Sequence, residues 1–165
     1  MLSGSILLRS LSDSLQFGQA LATVLPDDSI CLLEGDLGAG KTTIIRAIAA
    51  ALGANPGLVT SPTYTISNWY EGAASTIYHV DLYRLKSTHD LYAMDQDDWL
   101  NPAGPTFIEW PQIALPFLKD IPYLRMQLAK PAATSSQRHL SMTAASPFYE
   151  NVFLGLNNHR ADADE

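Results

Sequence analysis

The residues best suited to bind a phosphate group lie at positions 35–42, which read GDLGAGKT. This segment matches the pattern G-x-x-x-x-G-K-[ST] at every position. Its glycines allow backbone N–H groups to surround an anion with no Cβ in the way. Lys41 can bring a positive charge to the β- and γ-phosphates of a nucleotide, and the hydroxyl of Thr42 can bind Mg²⁺. The pattern predicts a nucleotide-phosphate site; a glycine-rich turn that merely joins a strand to a helix is the alternative.

A phosphate site of this kind needs a carboxylate from a neighbouring strand to hold Mg²⁺ or its water shell. Two acids qualify: Asp81 follows the apolar run TIYHV, and Glu109 follows TFI. Glu109 fits the pattern of a hydrophobic strand ending in an acid better, so we predict that Glu109 and Thr42 hold the metal. Asp81 would then orient or deprotonate the attacking water, or act in the outer shell of the metal. The predicted catalytic residues are Lys41, Asp81 and Glu109, and the sequence pattern leaves the division of roles between the two acids open.

Polar residues after the phosphate loop form a second candidate segment. Ser61, Thr63 and Thr65 carry hydroxyls that can approach a γ-phosphate or Mg²⁺ and couple its presence to the order of the loop. Hydroxyls that only face water would give the same pattern. His79 stands out of phase with Val80 and is predicted to be packed or half-exposed. The four histidines and the single cysteine show no metal-ligand spacing.

A strand and a helix must flank the phosphate loop to position it. The apolar run SICLLE at 29–34 predicts a strand buried on both faces, and TIIRAIAAAL at 43–52 predicts a helix that Gly53 ends. A capping pair, Ser10 with Asp13, predicts the start of an earlier helix that continues to about Leu25. The remaining predictions are strands at 5–9, 65–70, 75–82, 106–110, 123–130 and 137–145, and helices at 87–94 and 148–156.

Strand, glycine loop and helix in this order indicate an α/β fold. We predict one three-layer, P-loop NTPase-like domain over residues 1–158, with a mixed sheet, helices on both faces and a disordered tail at 159–165. The strand before the phosphate loop would be central, and two hairpins would extend the sheet with antiparallel strands. The nucleotide would bind at the carboxyl end of the central strand.

The composition restricts the class of protein further. The chain has 165 residues with 10 Lys+Arg against 17 Asp+Glu, a net charge of −7, and it is 47% hydrophobic and 16% charged. These values exclude a disordered chain, and an acidic chain with scattered cations is poorly suited to bind nucleic acid alone. One cysteine, Cys31, excludes a disulfide framework. No apolar run approaches the roughly 20 residues that span a bilayer, so we expect a soluble, cytoplasmic protein.

Four motifs in order resemble one known family: GDLGAGKTT at 35–43, SPTYT at 61–65, IYHVDLYRL at 77–85 and IEWPQ at 108–112. Together they are similar to the TsaE family, the small bacterial P-loop ATPases of the tRNA threonylcarbamoyladenosine pathway. The resemblance implies an ATPase, weak alone, that hydrolyses Mg-ATP in support of its partners TsaB and TsaD. That pair would transfer the threonylcarbamoyl group to an adenosine of tRNA, and this chain would meet tRNA only indirectly, through the complex.

The resemblance also implies roles for individual residues. Thr42 with Glu109 would bind Mg²⁺, Asp81 would be a second essential acid, and Trp110 would lie beside the site. A basic residue approaches the nucleotide from the family's late hairpin, and Arg138 is the nearest match. The predicted nucleotide-binding residues come from the phosphate loop, the switch-like loop and the late hairpin. They are Gly35, Gly38, Ala39, Gly40, Lys41, Thr42 and Thr43, then Ser61 and Thr63, and finally Arg138.

Two other interpretations remain open. A small-molecule kinase would use the same loop and acids, although it should carry a cluster of arginines on a closing lid, and Arg84 and Arg138 are the ones available. A non-enzymatic assembly factor would use ATP binding alone to drive docking. A GTPase and a transporter-type ATPase are disfavoured, since the sequence contains neither N-K-x-D nor LSGGQ. Asp95, where the family usually has a glycine, is a departure that bears on the docking surface rather than on the ATP site.

Overall fold

The computed structural model describes residues 1–60, 66–92, 100, 104–132 and 135–161. Within these ranges the strands are β1 (Leu2–Leu8), β2 (Ile30–Glu34), β3 (Ser67–Glu71), β4 (Thr76–Asp81), β5 (Thr106–Glu109), β6 (Leu124–Ala129) and β7 (Arg138–Ala144). The α-helices are α1 (Leu11–Val24), α2 (Lys41–Ala51), α3 (Thr88–Tyr92) and α4 (Glu150–Ala161). Short 3₁₀ turns lie at Pro56–Leu58, Pro111–Ile113, Leu115–Leu118 and Pro147–Tyr149.

Some predicted features lie outside the described residues. They are the hydroxyl-bearing loop with Ser61, Thr63 and Thr65, the departure at Asp95, the end of the helix predicted at 87–94, and residues 162–165 of the expected tail.

The strands form one mixed sheet in the order β1-β7-β6-β2-β5-β4-β3. The middle strands β6, β2, β5 and β4 are parallel to one another, whereas β1, β7 and β3 run antiparallel to their neighbours. The strand that precedes the phosphate loop, β2, is central, and the β3–β4 and β6–β7 hairpins extend the sheet as predicted. Because β2, β5 and β4 are parallel, their carboxyl ends meet at one edge, which brings the phosphate loop close to Glu109 and Asp81.

Helical segments cover both faces of the sheet. Strand β2 is buried on each face: Cys31 and Leu33 pack in the cluster formed with α1, α2 and α4, whereas Ile30 and Leu32 pack with α3 and the 3₁₀ turns that follow β5. A strand with two buried faces has a continuous apolar sequence, and this sequence predicted β2 correctly. The predicted three-layer α/β architecture is confirmed.

Local sequence features set the position of the first two helices. The Ser10 hydroxyl accepts a hydrogen bond from the Asp13 N–H at 3.1 Å, and the Asp13 carboxylate accepts a backbone N–H in return. A Cβ on Gly18 would lie 2.5 Å from the Cβ of Ala47, so glycine at this position lets α1 pack closely against α2. Gly53, with φ 85, turns the chain after α2. The predicted cap and the predicted stop are both confirmed.

The helix boundaries differ from the predictions at two places. Helix α2 begins at Lys41, before the predicted start at residue 43, because Gly40 in the left-handed conformation is its N-cap. The segment predicted as a helix at 148–156 is a 3₁₀ turn followed by α4, whose backbone continues to Ala161, into the expected tail. Val152 and Leu156 pack in the core, whereas the residues after them are mostly polar and do not mark where the helix ends. None of the described helices is long and apolar enough to cross a lipid bilayer.

Candidate functional site

The glycine loop joins the carboxyl end of β2 to the first turn of α2. Gly35, Gly38 and Gly40 have φ values of 139, 73 and 105, a range that other residue types rarely adopt. A Cβ on Gly35 would also collide with the backbone carbonyl of Leu128 on β6. The loop therefore needs glycine where the motif has it, and its backbone conformation leads directly into the positive end of α2.

Lys41, the first residue of α2, points back over the glycine loop. Its ammonium Nζ donates to the backbone oxygens of Gly35 at 2.7 Å and Asp36 at 3.1 Å. The side chain is 4% exposed, and Nζ lies 4.0 Å from Glu109 Oε2. Burial lowers the pKa of Lys41, and the negative charges of Glu109, Asp81 and Asp36 partly offset that effect. A buried cation thus lies between the loop and the two strand-end acids.

Glu109, the last residue of β5, is 3% exposed. Its Oε1 accepts a hydrogen bond from the Thr42 hydroxyl at 2.7 Å and lies 3.0 Å from His79 Nε2. Burial by itself raises the pKa of Glu109, but the hydrogen bond and attraction from His79, the Thr42 hydrogen bond and the Lys41 charge together outweigh burial and hold that pKa below its ordinary value. Glu109 is therefore an ionised carboxylate fixed in one orientation.

Asp81, the last residue of β4, is the neighbour of Glu109 in the parallel register. It is half-buried, and its Oδ1 accepts a hydrogen bond from the backbone N–H of Tyr83 at 3.0 Å. Its charge reaches Lys41, whose pKa it raises. Asp81 therefore belongs to the same electrostatic site as Glu109 but is less buried.

Trp110 follows Glu109 and closes one side of the site. The Lys41 ammonium lies 4.3 Å from the centre of its ring, a cation–π contact, and the Tyr83 ring lies 5.0 Å from it. Trp110 has φ 56, a left-handed conformation that is uncommon for a residue with a side chain. The structure thus places Trp110 beside the phosphate loop, as the resemblance implied.

The β6–β7 hairpin brings two basic side chains to the glycine loop. Arg138 Nε donates to the Ala39 carbonyl at 2.7 Å, and its Nη2 donates to the Gly38 carbonyl at 3.2 Å. The Lys130 ammonium lies 3.4 Å from where a Cβ on Gly38 would stand. Arg138 was selected from the sequence, whereas Lys130 was missed because a lysine after a strand carries no signal of its own.

His79 and Tyr70 are the other residues that the sequence analysis missed. The prediction for His79, packed or half-exposed, did not include a bond to a functional residue, yet its fully buried ring contacts Glu109. A usable signal was present: His79 precedes Asp81 by two positions on one strand, so both side chains lie on the same face. Tyr70 lies on the neighbouring strand β3, and its hydroxyl is 3.4 Å from His79 Nδ1.

The structure brings together most of the residues predicted for the site. Lys41, Thr42 and Glu109 form one connected group, and Asp81 and Arg138 border it. Thr43 follows Thr42 in the first turn of α2 and is half-buried. Arg84 is exposed. Ser61 and Thr63, which were also predicted to bind the nucleotide, lie outside the described residues.

Comparison with known sequences gives consistent matches. The family model described as "Threonylcarbamoyl adenosine biosynthesis protein TsaE" matches residues 8–140. A "tRNA threonylcarbamoyladenosine biosynthesis protein TsaE" from Synechocystis is 42% identical over 108 residues, which cover 64% of this chain and 68% of that protein. The protein of the same name from Bacillus subtilis is 32% identical over 130 residues, covering 79% of this chain and 78% of the relative.

Comparison with solved structures supports the fold. The crystal structure of Bacillus subtilus YdiB aligns with a TM-score of 0.76 at 24% identity. The alignment covers 96% of this chain and 97% of that one. The likeness therefore extends over nearly the whole molecule, including the outer strands that the motifs do not reach.

Proposed function

The chain belongs to the TsaE family of threonylcarbamoyl adenosine biosynthesis proteins, and from this premise we propose that it binds and hydrolyses Mg-ATP. Its part in tRNA threonylcarbamoyladenosine biosynthesis follows from the family. The finer proposal is that ATP turnover supports threonylcarbamoyl transfer by partner proteins, TsaB and TsaD, in the cytoplasm.

One contact carries the proposal. The Thr42 hydroxyl and the Glu109 carboxylate, 67 positions apart in sequence, lie 2.7 Å apart at the start of α2. Lys41 is buried beside them, next to a loop whose glycines have no Cβ to block the approach of an anion. A hydroxyl, a carboxylate and a lysine held together at a helix N-terminus are the groups that phosphoryl transfer from a nucleotide requires.

The oxygen donors suit Mg²⁺. An ionised carboxylate and a hydroxyl are hard ligands, and Mg²⁺ is usually held by one or two carboxylates together with the phosphates of its substrate. When bound, Mg²⁺ would offset negative charge on the phosphates.

The chain's own residues would divide the remaining work. Lys41 would bind the β- and γ-phosphates as a buried cation whose desolvation strengthens the attraction. Arg138 is held against the loop by two carbonyls, so its guanidinium would approach the nucleotide from the β6–β7 hairpin. Asp81 is less buried than Glu109 and adjacent to it, a position suited to orienting the attacking water.

The charge of the chain fits a supporting role. With a net charge of −7, the protein is poorly suited to bind tRNA by itself, because phosphate neutralisation needs clustered cations. In the proposal the partners bind tRNA, and this chain supplies ATP turnover to the complex.

Phosphate release from ATP, measured with the chain alone and with TsaB and TsaD added, tests the proposal. We expect slow release by the chain alone and faster release with the partners. Lys41→Met should raise the Kd for ATP at least about 30-fold, the cost of about 2 kcal/mol for losing a buried charged partner. Lys119→Met, at an exposed lysine directly after the 3₁₀ turn Leu115–Leu118, is the matched control and should leave the Kd unchanged.

The alternatives give different results in the same assay. ATP binding with no phosphate release, with or without partners, would indicate the non-enzymatic assembly factor. Transfer of phosphate from ATP to a small-molecule hydroxyl would indicate the kinase. An equal rate of release with and without the partners would contradict the coupling to TsaB and TsaD.

A further inference from the structure

The hydrogen bonds at Glu109 continue away from the phosphate loop. His79 Nε2 lies 3.0 Å from Glu109 Oε1, and His79 Nδ1 lies 3.4 Å from the Tyr70 hydroxyl. That hydroxyl also lies 3.4 Å from the backbone oxygen of Thr60, and its single proton is donated either to that oxygen or to His79 Nδ1. His79 is fully buried and Tyr70 is 6% exposed. The contacts form a continuous chain from the Glu109 carboxylate to the backbone oxygen of Thr60, the last described residue before the predicted switch-like loop.

We propose that His79 is a positioning residue that fixes the Glu109 carboxylate, and that Tyr70 ties His79 to the backbone at Thr60. The inference rests on the proposed function in one respect, namely that Glu109 serves Mg²⁺. Neither His79 nor Tyr70 is assigned a contact with the nucleotide.

The direction of the first bond follows from chemistry. An ionised carboxylate only accepts hydrogen bonds, so Nε2 of His79 carries the proton and donates it to Glu109. Thr42 donates to the same oxygen, Oε1. With Oε1 held by two donors, Oε2 is the oxygen left for the metal or a metal-bound water, and it is the one that faces Lys41 at 4.0 Å. His79 thereby determines which oxygen of Glu109 is available.

Burial makes a merely space-filling role for His79 costly. A buried imidazole loses its hydration and requires hydrogen-bond partners, whereas its neighbour in register on β5, Phe107, fills the same layer without that cost. Orientation of a metal-binding side chain by a hydrogen-bonded second residue is a common arrangement, and loss of the second residue typically costs about 10–100-fold in metal affinity or activity.

Two substitutions of His79 separate the bond from the packing. In His79→Gln the side-chain amide can reach the place of Nε2 and donate to Glu109, whereas in His79→Asn the shorter amide reaches only the place of Nδ1. Calorimetry would measure the Kd for a non-hydrolysable ATP analogue with Mg²⁺ and with EDTA. We expect His79→Asn to weaken the Mg²⁺-dependent part of the affinity about 10-fold or more with no change in EDTA, and His79→Gln to keep most of it.

The link to Thr60 is tested by Tyr70→Phe. Its two contacts are long, 3.4 Å each, so we expect a smaller loss, about 3-fold, in the Mg²⁺-dependent affinity. Tyr78→Phe, on the opposite face of β4 from His79, is the matched control and should behave as the unsubstituted chain. Equal affinities in Tyr70→Phe and Tyr78→Phe would overturn the link.

A second measurement does not depend on nucleotide. In urea unfolding, Glu109→Ala and His79→Asn each remove this bond, so the combined shift of the midpoint in the double variant should be smaller than the sum of the single shifts. Additive shifts, or an Mg²⁺ dependence that both His79 variants retain, would overturn the positioning role. If His79→Asn does not fold, His79→Leu takes its place. If the chain binds no ATP but the two midpoint shifts are not additive, the proposed function is contradicted while the His79–Glu109 bond is supported.

Discussion

Two acids at the ends of adjacent parallel strands differ in their surroundings. Glu109 and Asp81 are neighbours in register, and both charges act on the Lys41 ammonium. Glu109 is 3% exposed, with Thr42 and His79 bonded to one of its oxygens. Asp81 is half-buried and is bonded to a backbone N–H of the following turn.

The hydrogen-bond donors around an acid at the end of a strand, rather than its place on the strand, determine what that acid can do. Side-chain donors from α2 and β4 fix the Glu109 carboxylate, which suits a residue that holds a metal in one place. Asp81 accepts a bond from the following turn and is half-buried, more exposed than Glu109, which suits a residue that acts on water.

The largest effect should come from Glu109→Gln. We expect the rate of ATP hydrolysis to fall about 100-fold or more, since the loss of one preorganised charged group at the reacting phosphate costs several kcal/mol. ATP affinity without Mg²⁺ should stay within about 3-fold, because Lys41 and the loop backbone remain. Phosphate release and calorimetry measure the two quantities.

Glu34→Gln is the matched control for this substitution. Glu34 also ends a parallel strand and is 7% exposed, but it pairs with Arg125 on the other face of the sheet. Its replacement should lower stability and leave hydrolysis intact. If Glu34→Gln and Glu109→Gln reduced hydrolysis equally, the loss would reflect damage to the sheet and not a metal site.

A smaller loss of activity is expected from Asp81→Asn. The amide oxygen can still accept the bond from Tyr83, so the turn should persist, while the charge near the attacking water is removed. We expect hydrolysis to fall about 10-fold, less than the usual contribution of about 100-fold or more from acid–base groups, because the half-buried Asp81 is partly screened by solvent. The Mg²⁺ concentration for half-maximal rate should not change.

Asp90→Asn provides the comparison, since Asp90 also accepts backbone N–H groups but lies at the start of α3. A reversal, in which Asp81→Asn abolishes hydrolysis and raises the Mg²⁺ requirement while Glu109→Gln does neither, would exchange the roles of the two acids.

The fold was largely predictable because its strongest signals are local. The apolar run of β2, the Ser10 cap and the Gly53 stop each act within a few residues, and each was confirmed. Helix α4 was underestimated, because its final residues are polar and carry no periodic pattern. The order of the strands follows from packing between distant segments, which one sequence does not display.

The site was predictable where chemistry requires a particular residue type. The loop glycines, Lys41 and Thr42 form a motif, and Glu109 follows a strand, so all were identified. His79 and Lys130 were not, because each depends on a neighbour brought close by the sheet: Glu109 for the first, Gly38 for the second. Period-2 alternation from Asp81 would have placed His79 on the correct face, but its partner became evident only with the register of β4 on β5.

The smallest effect concerns the dependence of stability on pH. Burial opposes ionisation of Glu109, but His79, Thr42 and Lys41 outweigh it, so the folded-state pKa lies below the ordinary 4.5. A carboxyl with a lowered folded-state pKa stabilises the fold above its unfolded-state pKa, and that contribution disappears as pH falls through the folded-state pKa. Glutamine does not ionise, so Glu109→Gln removes the contribution.

The free energy of unfolding of the unsubstituted chain minus that of Glu109→Gln should therefore be largest near neutral pH and shrink below pH 4.5. Each unit by which the folded-state pKa is lowered corresponds to about 1.4 kcal/mol. Urea unfolding followed from neutral to acid pH measures this difference. A difference that is constant across the range would mean that Thr42, His79 and Lys41 do not hold the Glu109 charge, and the contrast with Asp81 would then rest on burial alone.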